Sequence, residues 1–437
     1  MLSPFMRSNL LKRGFLSLIV TQFFGAANDN ILKGILVFMV IDGAWQGHLG
    51  TGGQGIVGIC FSLPFILLSG YAGQFADRHS KQWVTMLVKL IEIPIAFVAL
   101  VGFWTGNLWV TLASLVLLTS QSAFFGPAKY GMIPEVVAEG DLSRANGAIN
   151  MMTNIAVILG TLVSGMISDR YSPQPDPSGG PAREPMLWLP GAAMVGVAVL
   201  GLAAALAIPR LKPGDPGLKY DPNPFSTYIF AFREMLKTPL FMVTMAWGYF
   251  YLLAGLALLI VPEYTTVLAV SREEAAMLLG VLAVAIGLGC AAAGLISGHR
   301  IEPRLIPVGG AGITLFCALL ALAPPAVYGT SPTFRVLLSN VSFLIFGCGF
   351  FSGFYIIPLQ ALLQKLSPRD ERGRFLGTAN CVSFGFFTLA SLIYWMIRPL
   401  FGTQPQDVFL VSAVLMAGGT LFFLWRLRHT AFRKGMS

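Results

Sequence analysis

The chain alternates between long apolar stretches and short polar connections. A membrane-spanning helix needs about 20 predominantly apolar residues, and windows of this length predict twelve spans along the 437 residues. The predicted spans cover residues 14–41, 55–75, 84–104, 108–128, 142–167, 186–208, 240–261, 275–297, 305–326, 336–362, 376–397 and 408–425. The pattern therefore predicts an all-α membrane protein with twelve transmembrane helices.

The composition agrees with this pattern. Hydrophobic residues make up 55% of the chain and charged residues 11%, whereas a soluble domain needs about 25% charged residues to cover its surface. Most of the protein surface must therefore face lipid. This excludes a soluble globular protein.

The distribution of basic residues predicts the orientation in the membrane. Most Lys and Arg residues fall on the side that holds both termini, whereas the opposite side carries Arg170, Arg183, Arg272, Arg335 and Arg398. Cytoplasmic connections carry an excess of Lys and Arg, so both termini are predicted to be cytoplasmic. Topology and contact with anionic lipid thus explain the net charge of +9, and a nucleic-acid partner is not expected.

A short internal repeat predicts two similar halves. Residues 144–150 and 374–380 share Arg, Gly and Asn at their first, fourth and seventh positions, and each segment begins the fifth span of its half. Transporters built from two repeated halves bind substrate near the midplane and alternate access by rocking. The predicted organisation is a six-helix half at 1–209, a cytoplasmic linker at 210–239 and a second six-helix half at 240–437.

The linker itself contains a helical pattern. Its apolar residues recur at spacings of three, four and seven, whereas Arg233, Glu234 and Lys237 fall on the other face. This pattern predicts an amphipathic helix lying at the inner membrane surface. The predicted apolar stripe consists of Phe225, Tyr228, Ile229, Phe232, Met235 and Leu236.

The first span contains an acidic residue, Asp29, near its centre. A carboxylate at this depth costs roughly 2.5 to 3.5 kcal/mol, so such residues face a cavity or a partner rather than lipid. Asn28 and Asn30 flank Asp29, and Lys33 follows one helical turn later. Lys33 either neutralises Asp29 or leaves the carboxylate available to a ligand.

A second charged pair is predicted in the third span. Lys89 and Glu92 are three residues apart and therefore share one helical face. They form either an internal ion pair that joins helices or a pair that exchanges partners with Asp29 or a substrate. The sequence leaves both alternatives open.

The connection after the second span resembles the signature loop of the major facilitator superfamily, with Gly73, Asp77, Arg78 and Lys81 in the expected places. An Asp at a helix end can pair with arginines and accept from helix N-terminal amides. The resemblance implies a gate that holds the cytoplasmic side shut. The alternative is that the basic residues of this loop only set topology.

More specific motifs narrow the resemblance. The runs at 27–30, 125–131, 144–147, 301–307, 353–359 and 367–374 are similar to those of the bacterial lysophospholipid transporter family. They resemble most the transporter portion of its fused relatives, which carry acyltransferase and acyl-carrier-protein ligase domains. The family implies flipping of lysophospholipids, chiefly lysophosphatidylethanolamine, from the outer to the inner leaflet of the bacterial inner membrane. Because the chain ends at Ser437, a separate acyltransferase is the expected partner.

The residue types suit a zwitterionic headgroup, which needs an anion for its ammonium and a cation for its phosphate. Asp29 is the predicted anion and Lys129 the predicted cation, with Asn28, Asn30 and Tyr130 as neutral hydrogen-bond partners. The seventh span contains no Lys or Arg, so a cation from the second half must come from elsewhere. The predicted gate consists of Gly73, Asp77, Arg78, Lys81, Arg144, Arg300, Arg372 and Arg374.

Other functional classes receive less support. The four His are scattered, the five Cys lie in apolar helices without a CxxC pattern, and the chain has no phosphate-binding loop of the Walker type. The sequence therefore predicts no catalytic residues, metal or cofactor. The main alternative is an exporter of drugs or small amphiphilic metabolites with the same fold. Many such exporters have a Gly-Pro motif in the fifth span, but residues 160–165 contain no proline here.

Overall fold

A computed structural model describes residues 13–137, 142–173, 184–213, 217, 223, 225–297, 301–326, 335–368, 372–401 and 405–429. These residues form helices and connections, without a strand in the described ranges. The α-helices are α1 (Arg13–Ile41), α2 (Gln54–Arg78), α3 (Lys81–Trp104), α4 (Leu108–Val136), α5 (Leu142–Tyr171), α6 (Leu189–Leu206), α7 (Ser226–Leu236), α8 (Leu240–Ile260), α9 (Tyr264–Val267), α10 (Arg272–Ser297), α11 (Leu305–Leu322), α12 (Asn340–Leu366), α13 (Arg372–Ile397) and α14 (Val408–His429). Short 3₁₀ helices cover Val261–Glu263, Arg398–Phe401 and Pro405–Asp407.

Twelve helices in the described part of the chain are long and apolar enough to cross a membrane. The 3₁₀ helix at Val261–Glu263 joins α8 to α9, and the three elements form one span, Leu240–Val267. The remaining short helix, α7, lies between the sixth and seventh spans. The predicted fold class, an all-α membrane protein with twelve spans, is confirmed.

One predicted boundary was wrong. The fourth span was predicted to end at residue 128, but α4 continues to Val136 and includes the whole motif at 125–131. Pro127 removes a backbone donor and ordinarily destabilises a helix. Here Ala128, Met132 and Ile133 are fully buried on the continuing helix, and this burial offsets the loss. Lys129 and Tyr130 are consequently held on a regular helix rather than on a loop.

The chain divides into two compact units. Unit 1 comprises Met1–Met39, Gly43–Trp45 and Cys60–Pro224, and unit 2 comprises Val40–Asp42, Gln46–Ile59 and Phe225–Ser437. In unit 1, α3 packs against α4 and α6. Its buried core gathers Phe15, Leu18, Ala76, Val84, Val88, Phe125, Ala128, Met132, Ile133, Val137, Ala145, Ile149 and Ile208.

Small residues bring the helices of unit 2 close together. Helix α12 packs against α10 and α11, α11 packs against α14, and α8 packs against α13. A Cβ at Gly353 would collide with the backbone of Gly289, and one at Gly289 would collide with the backbone of Phe350. Membrane helices commonly use such small residues because they allow the backbones to approach closely.

The predicted amphipathic helix is present as α7 and belongs to unit 2. It packs against α8 and α13, with Ala231 and Met235 fully buried. Phe225, Ile229 and Leu236 of the predicted stripe are exposed, and Phe230 is exposed beside them. The helix thus buries one edge in protein and presents a second apolar edge outward.

Candidate functional site

Asp29 lies on α1 and is half-buried in unit 1. Its Oδ1 accepts a hydrogen bond from Ser122 Oγ of α4 at 3.1 Å. Ser122 in turn accepts from Gln121 Nε2 at 3.1 Å. An ionised carboxylate offers about four acceptor positions, and within the described chain this is the one hydrogen bond that Asp29 receives. The carboxylate therefore keeps most of its acceptor capacity for a ligand.

Lys33 is directed to other partners than Asp29. Its Nζ donates to Asn30 Oδ1 at 3.0 Å and lies 4.7 Å from the centre of the Phe61 ring. Asn30 uses its amide nitrogen to cap the carbonyl of Ala26 at 2.8 Å. The i+4 spacing thus does not produce an ion pair with Asp29 among the residues that the structure describes.

Lys89 and Glu92 form a buried ion pair, with 2.6 Å between Nζ and Oε2 and both side chains 1% exposed. Asn28 Nδ2 donates to the other oxygen, Glu92 Oε1, at 2.6 Å. Lys89 fits against α1 because Gly25 leaves room for its ammonium, where a Cβ would collide. The three polar side chains thus join α1 to α3. Asn28 is fully buried, and its Oδ1 has no hydrogen-bond partner among the residues that the structure describes.

Lys129 is a second buried cation, and its described contacts, unlike those of Lys89, are with aromatic rings alone. Its side chain belongs to a residue only 8% exposed, and its Nζ lies 4.4 Å from the Tyr130 ring centre and 5.9 Å from that of Phe125. The described ion pairs do not include it. Contacts with aromatic faces contribute about 0.5 to 2 kcal/mol, whereas buried charges are ordinarily paired. The position is therefore suited to an external anion.

The spacing along α4 relates the acid to this cation. Lys129 follows Ser122 by seven residues, which is close to two turns and about 10.5 Å along the helix axis. The two residues consequently share one face of α4. Phe125 lies between them, and the Lys89 ammonium also lies over its ring at 5.2 Å. The carboxylate bound to Ser122 and the ammonium of Lys129, which has no ion-pair partner in the described chain, thus lie along one helix face.

A family model described as the Major Facilitator Superfamily matches residues 18–390. The chain belongs to this superfamily. Among curated relatives, the lysophospholipid transporter LplT of Cronobacter sakazakii is 30% identical over 387 residues, which cover 86% of this chain and 85% of that protein. LplT of Serratia proteamaculans is 27% identical over the same shares. The chain is therefore also a member of the bacterial lysophospholipid transporter family.

Solved structures of the superfamily have the same fold. A POT family transporter crystallised with a thioalcohol-conjugated peptide superimposes with a TM-score of 0.68 at 14% identity, over 95% of this chain and 96% of the other. A bacterial homologue of the human lysosomal transporter Spinster, in an inward-facing and unoccupied conformation, gives 0.67 at 16% identity over the same shares. At these identities the likeness concerns the major facilitator fold alone.

The signature loop of the superfamily is partly described. Gly73 is half-buried, Asp77 is exposed and Arg78 is partly buried at the end of α2. Lys81 begins α3 and pairs with Glu135 of α4, with 2.6 Å between Nζ and Oε1. Glu135 was not among the predicted gate residues, because its pairing with Lys81 depends on how α3 and α4 pack.

The other predicted gate residues are described less fully. Arg144 lies in α5, and Arg372 and Arg374 lie in α13, but their side chains are outside the described part of this major facilitator protein. Arg300 lies outside the described residues altogether. Their gating role stays a prediction.

Unit 2 contains a buried polar network that sequence reasoning missed. Arg398 Nε donates to both oxygens of Glu263 at 2.8 Å, and its Nη2 donates to Oε2 at 2.5 Å. Glu263 Oε1 also accepts from Tyr394 and Gln54. All four side chains belong to buried residues. We name Gln54, Glu263, Tyr394 and Arg398 the Glu263 network.

A second arginine of unit 2, Arg272, is also buried and paired. Arg272 Nε donates to Asp42 Oδ1 at 2.9 Å, and its side chain is almost fully buried. The sequence interpretation treated Arg272 and Arg398 as charges that set topology. The partner of Arg272 lies 230 residues away in the chain, and that of Arg398 lies 135 residues away. The sequence signal that could have indicated these pairs is that Asp42, Glu263 and Arg398 each lie one or two residues after the C-terminal end of a predicted span.

Proposed function

We propose that this protein transports lysophospholipids, chiefly lysophosphatidylethanolamine, from the outer to the inner leaflet of the bacterial inner membrane by alternating access. Support comes from membership of the superfamily and from relatives named lysophospholipid transporters that match 86% of the chain. The excess of basic residues on the side of both termini supports cytoplasmic termini. No chemical reaction is part of this proposal.

The observation that carries the headgroup assignment is the buried ammonium of Lys129. It has no carboxylate partner among the described residues, and it lies two helical turns from the Ser122–Asp29 hydrogen bond. In this proposal the phosphate binds Lys129 and the ethanolamine ammonium binds Asp29. Charge-assisted hydrogen bonds of this kind are the strong ones in proteins.

The dimensions agree with this assignment. Four covalent bonds separate nitrogen from phosphorus in phosphoethanolamine, and a charge-assisted hydrogen bond at each end adds about 2.8 Å. Their sum is on the order of the 10 Å between the levels of Ser122 and Lys129. One headgroup can therefore span both charges, as an alternative to binding them in sequence along a path.

The neutral residues have distinct proposed roles. Asn30 follows Asp29 in the chain, and its side-chain Oδ1 accepts a hydrogen bond from Lys33. The exposed ring of Tyr130 adjoins the Lys129 ammonium. Asn30 and Tyr130 are both proposed to contact the headgroup. Asn28, whose amide nitrogen is bound to Glu92, is proposed to contribute through its unpartnered Oδ1.

The signature loop is proposed to act as the gate on the side of the termini. The proposed gate comprises Gly73, Asp77, Arg78 and Lys81 together with Arg144, Arg300, Arg372 and Arg374, and its charged members would hold this side shut. Once in the inner leaflet, a lysophospholipid requires a second acyl chain. A separate acyltransferase is therefore the proposed next step.

Uptake of labelled lysophosphatidylethanolamine into spheroplasts tests the function and the site separately. We expect uptake by the wild type and strong loss in Asp29→Asn and Lys129→Met. Glu234→Gln and Lys237→Met are the matched controls, because they remove the same charges from an exposed pair on α7. No uptake by well-expressed wild type would overturn the function, whereas normal uptake by both site variants would overturn the site.

Direction is tested in proteoliposomes. Labelled lysophosphatidylethanolamine is added to the outer leaflet alone, and albumin extracts what remains there at each time. Because the protein inserts in both orientations, a protease that cuts the exposed linker is used to select one of them. Transport limited to vesicles with outward-facing termini would contradict the proposed direction.

A further inference from the structure

A groove of about 700 Å³ opens at one end of unit 1, where α2 ends and α3 begins. The chain that follows α6 forms its opposite wall. Basic side chains come from both walls, namely Arg78 and His79 on one and Arg210 on the other. The described residues that line the groove include no Asp or Glu. The titratable side chains of the described lining are therefore all basic.

The floor of the groove is ordered by local contacts. The Nδ1 of His79 is hydrogen-bonded to the Phe75 carbonyl at 3.0 Å, and its ring stacks on Trp83 with 5.5 Å between centres. Ser80 Oγ donates to the carbonyl of Leu211 at 2.8 Å and so joins the two walls. These contacts fix the two backbone segments that carry the basic residues before any ligand binds, which lowers the entropic cost of binding.

The lining is also partly apolar. Trp83, Met86 and Leu211 adjoin the basic groups, and Trp83 is 39% exposed. A free phosphate would gain nothing from these side chains. A phospholipid would place its phosphate on the guanidinium groups and the first methylenes of its acyl chains on the apolar ones.

The position along the helices agrees with a lipid ligand. The groove lies at the ends of α2, α3 and α6, each of which is long and apolar enough to span the membrane. Trp residues concentrate at the level of lipid headgroups, where one part of the ring is wet and the other is not. The groove is thus at the height where phosphates of the adjoining leaflet lie.

We propose that this groove binds the headgroup of an anionic membrane phospholipid, with Arg78 and Arg210 on the phosphate and Trp83 and Met86 along the chains. Arginine suits this role because its planar guanidinium can bind two phosphate oxygens at once. The bound lipid would tie the signature loop to the segment after α6. The site is separate from the proposed headgroup site at Asp29 and Lys129 and does not depend on what the protein transports.

Native mass spectrometry of the full-length protein tests the proposal. Phosphatidylglycerol is titrated against the wild type, against Arg78→Gln/Arg210→Gln and against the control Arg233→Gln/Lys237→Gln, which removes two positive charges from α7. We expect the tightest-binding phosphatidylglycerol to bind roughly tenfold more weakly, or more weakly still, in the first double variant. The control should bind it as the wild type does.

Two further arms identify the ligand. Phosphatidylcholine should not compete for the tight site, and inorganic phosphate should not displace the bound lipid. Equal binding by both double variants would overturn the proposal, and displacement by inorganic phosphate would indicate a site for free anions instead. The exposed Arg210→Gln alone gives the same comparison if the double variant does not fold.

Discussion

The Asp29 carboxylate on α1 accepts a hydrogen bond from Ser122 Oγ on α4, with 3.1 Å between the oxygens. This contact orients an acid that would otherwise be held only by its own helix. It also relates Asp29 to Lys129, since Ser122 and Lys129 share a face of α4. The proposed headgroup site depends on this pairing of two helices.

Ser122→Ala should raise the apparent KM for lysophosphatidylethanolamine by about tenfold or more, with little change in the maximal rate. The hydroxyl donates to a charged acceptor, and such hydrogen bonds contribute about 1.5 to 3 kcal/mol. Concentration-dependent uptake measures the change. Ser120→Ala is the matched control, because Ser120 bonds within its own helix to the Val116 carbonyl. An unchanged KM in Ser122→Ala would mean that this hydrogen bond does not orient Asp29 for binding.

Lys129→Met should abolish transport without lowering thermal stability. The buried ammonium has no carboxylate partner among the described residues, so its removal relieves a desolvation cost and leaves no charge unpaired. Thermal unfolding in detergent and lipid uptake are measured on the same preparations. Lys129→Arg should retain part of the uptake because it keeps the charge. A large loss of stability in Lys129→Met would indicate a structural cation instead.

Lys89→Met, unlike Lys129→Met, should lower thermal stability. It leaves Glu92 charged and buried, and breaking a buried pair in this manner costs about 3 to 5 kcal/mol. The double variant Lys89→Met/Glu92→Gln should recover part of that loss, since neither charge remains. Unfolding temperatures of Lys89→Met, of Glu92→Gln and of the double variant give the coupling between the two residues. Strictly additive effects would argue against the 2.6 Å ion pair.

Glu263→Gln should be strongly destabilising, by about 3 to 5 kcal/mol, because Arg398 would keep a buried charge without its counter-charge. Glu234→Gln is the control. It removes a carboxylate from an exposed ion pair, in which Glu234 Oε1 lies 2.6 Å from Lys237 Nζ. Exposed ion pairs contribute at most about 1 kcal/mol. Thermal unfolding distinguishes the two variants. Similar small shifts in both would contradict the buried Glu263 network.

Gly289→Ala should disturb the packing of α10 on α12 and lower stability by about 1 to 3 kcal/mol, because the added methyl group meets the backbone of Phe350. Gly294→Ala, on the same helix, places its methyl group in open space and should be neutral or slightly stabilising. The comparison uses unfolding temperature and yield from membranes. Equal behaviour of the two variants would contradict the close approach of these helices.

The number of spans could be predicted because it depends on a local pattern. Hydropathy is summed within a single helix, and no neighbouring helix is needed to recognise a run of about 20 apolar residues. The Lys89–Glu92 pair belongs to the same category, since a spacing of three within one helix brings side chains together. The end of the fourth span was misplaced because the hydropathy of one segment does not record the burial of Ala128 and Met132, on the part of α4 that continues to Val136.

The sequence by itself determined a twelve-span membrane protein, its family motifs and the residues that carry charge inside the membrane. Apart from the Lys89–Glu92 pair, only the tertiary structure decided which partners these charges have. Lys33 and Asp29 share a helical face but bind different residues, and Glu263 meets Arg398 across 135 positions of the chain. The physical reason is that contacts between helices depend on how each helix is rotated about its axis and how closely the backbones approach, which packing sets and spacing along the chain does not.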